Sequence, residues 1–168
     1  MNKILIVGSG GIGSRHLQSL SRTNIGIEIY VIDNNKVSLN NAKSIFEAMP
    51  SNGLVHSVKY YSSLEEINFD IDLAIIATNS DVRKCVVKEI FTKIRVKYLI
   101  LEKVAFQSVK CFEEVINILK KNNSFAWVNC VNRTFNSYKS LKENIFNKGR
   151  LSMYVDGGDW GIAGNTIH

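Results

Sequence analysis

The 168-residue chain has one proline, three cysteines and no apolar run long enough to cross a bilayer, and each scarcity removes a class of protein. The run that follows Lys3 breaks at Gly8, so neither a secretory signal core nor a membrane span is expected there. A soluble, cytoplasmic protein without a membrane partner is expected. Cys85, Cys111 and Cys130 are odd in number and lack metal-ligand spacing, so neither a disulfide scaffold nor a metal site is expected. Each sits in an apolar pattern that suits a buried, reduced thiol. The lone proline, Pro50, falls with Ser51-Asn52-Gly53 in a loop. Repeats and low-complexity tracts are also missing.

Acidic residues are in deficit, with 15 Asp and Glu against 21 Lys and Arg, for a net charge of +6. A basic balance raises the question of nucleic acid, yet the lysines are spread over many segments. The densest patches, Lys93-Ile-Arg95-Val-Lys97 and Lys120-Lys121, lack the interleaved aromatics of a single-strand platform. No nucleic-acid partner is expected.

What the chain does contain is 45% hydrophobic residues arranged in alternating strand-like and helix-like patterns up to about position 131. That alternation predicts βαβ units, an α/β fold with a doubly wound parallel sheet covered on both faces. Strands are expected near 3–8, 27–33, 55–60, 72–78, 97–102 and 125–130. Ile12, His16, Leu17 and Leu20 share one face of a first helix, and Val82, Cys85, Val86 and Ile90 share one face of a later helix. Val109, Phe112, Val115, Ile116 and Leu119 give the clearest helical stripe. Asp81 and Ser108 are candidate caps. Beyond 131, Phe135, Tyr138, Leu141 and Ile145 mark one more amphipathic helix, then 151–155 reads as a strand before a glycine-rich tail. Residues 1–131 are therefore expected to form one domain, and 132–168 the incomplete start of a second, α+β domain for substrate or dimerisation. An unpaired strand there predicts self-association or a mobile tail.

The first strand pattern passes directly into Gly8-Ser9-Gly10-Gly11-Ile12-Gly13 and then into a helix. In this context Gly8 permits the tight turn, Gly10 lets backbone amides approach a pyrophosphate, and Gly13 allows close packing of helix on strand. The helix N-terminus supplies N–H donors and partial positive charge to the anion. Asp33, at the end of the second strand about 20 residues beyond the last glycine, stands where the adenosine ribose hydroxyls bind, with Asn34 beside it. A carboxylate there favours NAD over NADP, although Lys36 can soften the repulsion of a 2′-phosphate and allow both. The competing reading of Asp33 is a turn aspartate.

Three segments together resemble the Gfo/Idh/MocA family of nicotinamide-dependent sugar and inositol dehydrogenases. The glycine loop with its trailing Ser14-Arg15-His16 is one. Leu101-Glu102-Lys103 is similar to that family's Glu-Lys-Pro, with Val104 in the place of a proline that commonly introduces a cis turn. Val131-Asn132-Arg133 resembles the segment that enters the family's second domain. The resemblance implies a Rossmann fold and hydride transfer between the nicotinamide and a carbon bearing a hydroxyl or carbonyl, on a sugar, cyclitol or nucleotide-linked sugar. It implies cofactor contacts from Thr78, Asn79, Ser80, Glu102, Lys103, Asn132 and Arg133, with Lys103 also catalytic beside the reacting carbon. It further implies that His168 is a general acid/base. The family often carries an aspartate four residues before that histidine, where this chain has Gly164. Either Asn165 orients the imidazole, or the proton relay is altered, or the site is inactive. His16 is expected to pack or cap locally.

The expected function is thus an NAD-dependent oxidoreductase, here as a cofactor-binding fragment. A non-catalytic NAD-sensing or regulatory module is the alternative. A methyltransferase shares the glycine loop and the acid after the second strand, but predicts neither Glu102-Lys103 nor Asn132-Arg133.

Overall fold

A computed structural model describes residues 1–145, and its chain divides into two compact units, Met1–Val128 and a second that begins at Asn129. In the first unit, strands β1 (Asn2–Val7), β2 (Ile27–Ile32), β3 (Val55–Tyr61), β4 (Ile71–Ile76), β5 (Val96–Leu101) and β6 (Phe125–Val128) form one parallel sheet in the order β3-β2-β1-β4-β5-β6. Helices α1 (Gly11–Leu20), α2 (Lys36–Glu47), α3 (Ser80–Lys93) and α4 (Val109–Lys121) connect them. The order reverses direction between β1 and β4, which makes that crevice the topological switch point of a Rossmann-like fold.

The central strands carry continuous apolar runs, 4–7 in β1 and 73–76 in β4, because both faces of the sheet are covered there. Successive side chains of β1 go opposite ways: Ile4 and Ile6 join Leu17 of α1 and Leu39 and Ala42 of α2, whereas Leu5 and Val7 join Val87 and Ile90 of α3 and Val115 of α4. A fully buried Leu or Ile contributes about 1.5–3 kcal/mol, so these two layers dominate the stability of the unit.

One feature of the register positions the site. Tyr61, Ile32, Val7, Ile76, Leu101 and Val128 pair across the sheet as a single row, so the strands end level. Backbone bonds extend the ladder one step further: Gly8 N–H donates to Ile32 O (2.8 Å), Ala77 N–H to Val7 O (2.8 Å) and Glu102 N–H to Ile76 O (3.2 Å).

Several helical faces differ from expectation. On α3 the buried residues are Arg83, Val87 and Ile90, at i, i+4 and i+7, while Val82 and Cys85 are exposed and Val86 is half-buried. The stripe of α4 buries Val115 but leaves Val109, Phe112 and Ile116 exposed. Ser108 caps α4, its Oγ accepting from Cys111 N–H; Asn79 holds the N-cap position of α3 without a capping bond from its side chain, and Asp81 accepts from its neighbour Val82 N–H. Of the three thiols expected to be buried, only Cys130 is; Cys111 is intermediate and Cys85 exposed.

The second unit contains the short turn Val131–Thr134 and α5 (Asn136–Ile145), the amphipathic helix expected from its apolar spacing. The predicted strand at 151–155, with the tail that follows it, lies outside the described residues.

Candidate functional site

The glycine loop has the tight turn and the close helix–strand approach that its spacing predicts. Gly8 has φ +92°, a left-handed conformation open to glycine. A Cβ on Gly13 would stand 1.8 Å from Gly8 O, so the helix reaches this close to the strand only without a side chain. A Cβ on Gly10 would meet nothing within 4 Å. The space over Gly10 is therefore open to a ligand, beside the first N–H groups of α1, which have no intrahelical acceptor. Ile12 is 47% exposed and does not join the core face with Leu17.

A cleft of about 510 Å³ opens along this edge, lined by Gly8, Gly10, Asp33, Asn34, Thr78 and Asn79 from the predicted set. Further residues complete it: Ser62, Ser63 and Leu64 follow β3, and Val82, Val86 and Glu89 come from α3. Of the expected α3 stripe, Val82 and Val86 thus line the cleft, Ile90 lies in the core and Cys85 is exposed. Asp33 Oδ2 accepts from Ser9 N–H (2.7 Å) and Ser9 Oγ–H (3.0 Å), and Oδ1 accepts from Asn35 N–H (2.9 Å). The acid therefore ties the glycine loop to the loop after β2, as a turn aspartate does, while forming part of the cleft wall. Thr78 Oγ1 is buried without a hydrogen-bond partner among the described residues. An orphaned hydroxyl at the switch point, a glycine with open space above it and a carboxylate at the end of β2 together fit a dinucleotide.

The loop after β5 is held by side chains from elsewhere. Arg83 is 3% exposed. Its Nη1 donates to the carbonyl oxygens of Glu102, Val104 and Ala105 (3.0 Å for the last), and its Nη2 donates to Thr78 O. Burial pushes the guanidinium down from its ordinary value, while the nearby carboxylates of Glu102 and Asp81 oppose that shift. His16 reaches away from its own helix, with Nε2 2.7 Å from Glu102 Oε1, and does not cap locally as expected. A carboxylate only accepts, so the imidazole donates here. The Lys103–Val104 peptide bond is cis. Ser80 Oγ accepts from Gln107 Nε2 at 3.2 Å, a further tie between α3 and this loop.

Register brings the loops bearing Gly8, Asp33, Thr78 and Lys103 to one edge, with strands about 4.8 Å apart. Asn132 and Arg133 belong to the second unit, in the turn Val131–Thr134. His168, Gly164 and Asn165 lie outside the described residues. Sequence reasoning missed Arg83 and the Ser62-Ser63 loop. A cation inside an apolar helical stripe signals the first, and the rule that ligands gather at strand carboxyl ends, applied to β3, finds the second.

Among curated protein sequences no match is found. Among solved structures the chain is similar to the WlbA dehydrogenase of Chromobacterium violaceum, in complex with NADH and UDP-GlcNAcA. The two share 19% identity over 88% of this chain and 40% of that one, with a TM-score of 0.71. It is similar also to myo-inositol 2-dehydrogenase of Lactobacillus plantarum (18% identity, 87% and 41% of the chains, TM-score 0.65). A scyllo-inositol dehydrogenase of Lactobacillus casei follows (19%, 86% and 41%, 0.64). At such identities the likeness shows the fold, and the chain spans about 40% of the length of these relatives. The profile of the Gfo/Idh/MocA family, an oxidoreductase family with an NAD-binding Rossmann fold, matches residues 2–130. This chain therefore belongs to the Gfo/Idh/MocA oxidoreductase family and carries its NAD-binding Rossmann domain.

Proposed function

We propose that the chain serves a dehydrogenase that moves a hydride between nicotinamide and a hydroxyl- or carbonyl-bearing carbon of a sugar, cyclitol or nucleotide-linked sugar. The observation that carries this reading is the level row of strand ends, which sets Lys103 beside the loops of the dinucleotide cleft. In this reading the N–H groups after Gly10 hold the pyrophosphate, Asp33 accepts from the ribose hydroxyls and disfavours a 2′-phosphate, and Thr78 Oγ1 gains its missing partner. Bound nicotinamide supplies the hydride acceptor or donor. Lys103 donates a hydrogen bond to the reacting oxygen and stabilises the negative charge that develops there. Residues from 132 onward open the part that selects substrate, with Asn132 and Arg133 at its entrance and His168 as proton acceptor. The substrate class rests on the relatives, one holding UDP-GlcNAcA with NADH and two named for inositols.

Thermal unfolding in the presence of NAD, NADP and S-adenosylmethionine tests the cofactor assignment. A ligand at 100 times its dissociation constant adds about 2.7 kcal/mol to stability. NAD is expected to raise the midpoint most; a rise with S-adenosylmethionine alone overturns the proposal. NADH oxidation with keto derivatives of inositols and UDP-linked hexoses then tests the substrate class.

A further inference from the structure

We infer that Arg83 is a positioning residue that couples occupancy of the nucleotide cleft to the conformation of the Lys103 loop. The inference rests on the proposed dinucleotide site and extends it. Arg83 has the connectivity such a role needs. One nitrogen of its guanidinium holds Thr78 O, in the turn that lines the cleft, and the other holds three carbonyl oxygens around Lys103, those of Glu102, Val104 and Ala105. The planar fork fixes the directions of its donors, so a shift of the Thr78 turn moves the lysine loop with it.

The placement is costly unless it is used. Arg83 occupies the position on α3 that shares a face with Val87 and Ile90, and a cation buried there loses its hydration. An apolar residue would satisfy the packing of α3 but leave these carbonyls without their donor. Neighbouring ties also reach the lysine loop: Gln107 Nε2 donates to Ser80 Oγ, and His16, in the helix that starts at the glycine loop, holds the Glu102 side chain. Only Arg83 among these joins the backbone of the Thr78 turn to the backbone on both sides of Lys103.

Hydrogen exchange on the full chain tests this, with ADP-ribose as the probe because it fills the adenosine and pyrophosphate positions but has no nicotinamide ring to touch Lys103. In the wild-type chain ADP-ribose is expected to slow amide exchange about fivefold both at 8–14 and at 103–107. In Arg83→Met the slowing at 8–14 persists and that at 103–107 disappears. Arg83→Gln, which keeps a polar side chain but cannot span these carbonyls, gives the same loss should the Met variant fail to fold. Arg83→Lys restores part of it. A residue with only a structural role would speed exchange with and without ligand alike and leave the ligand-induced ratio unchanged. Retention of the wild-type ratio at 103–107 in either neutral variant overturns the inference, as does a wild-type chain protected at 8–14 alone. Absence of any slowing at 8–14 in the wild-type chain instead removes the dinucleotide reading on which the inference stands.

Discussion

The loop after β1 and the loop after β5 stand two strands apart on the same row, and they are shaped in opposite ways. The first owes its form to missing side chains: Gly8 turns at φ +92°, Gly13 admits the Gly8 carbonyl, and Gly10 faces open space. The second owes its form to side chains that arrive from other elements, Arg83 from α3 and His16 from α1. A binding surface for an anion needs only backbone N–H groups and room, which short-range spacing can specify. The carbonyls around Lys103 are held by a donor 19 to 22 residues away, and the Glu102 side chain by a donor 86 residues away, which short-range spacing cannot specify.

The comparison breaks most severely at Gly13. Gly13→Ala drives a Cβ into the Gly8 carbonyl, a backbone atom that cannot rotate aside, and is expected to cost on the order of 3 kcal/mol in urea denaturation. Gly10→Ala meets no atom and should change stability by no more than about 1 kcal/mol. Its NADH affinity is expected to fall at least about tenfold, some 1.4 kcal/mol, because the added methyl enters the ligand's space. Equal losses of stability for the two variants would show that the glycines do not divide their work.

Asp33 joins both kinds of construction. Asp33→Ala leaves the N–H and hydroxyl of Ser9, a residue 2% exposed, without their acceptor, at about 1–3 kcal/mol. It is expected to weaken NAD more than NADP, since the repulsion of a 2′-phosphate disappears with the ribose contact. Asp33→Asn keeps an oxygen for Ser9 but turns its NH2 toward Asn35 N–H and removes the charge, so it should lose less stability than Asp33→Ala while its cofactor preference relaxes. Isothermal titration with both cofactors beside denaturation curves separates the two effects; an unchanged NAD to NADP ratio in both variants would place Asp33 outside the ribose contact.

The same contrast explains what could be read from the sequence. Six strands and the glycine loop are legible because a run such as Ile4-Leu5-Ile6-Val7 and three spaced glycines specify local geometry by themselves. The faces of α3 were not, because binary patterning treats a side chain lining a ligand cleft and one in the core as the same apolar letter: Val82 and Val86 turn to the cleft, and Arg83 takes the interior. Nor does spacing reveal that His16, aligned with Leu17 and Leu20, aims at a carboxylate on β5's exit. Asp33 was legible in place but not in its bonds to Ser9, which depend on how two loops meet.

The smallest expected effect bears on the His16–Glu102 contact. Glu102 is buried, and its Oε1 lies 2.7 Å from an imidazole nitrogen, so the bond is assisted by the carboxylate's charge. Glu102→Gln keeps a carbonyl acceptor of the same shape and removes that charge, which should cost about 0.5–1.5 kcal/mol. If the lysine loop is shaped by side chains as argued, exchange at 103–107 rises in this variant while exchange at 8–14 stays near wild type. The Arg83 bonds remain in place there, since they go to backbone oxygens, and the rise should be smaller than in Arg83→Met. A larger rise for Glu102→Gln would reverse the order of the two ties and make the imidazole, through helix α1, the principal support of Lys103.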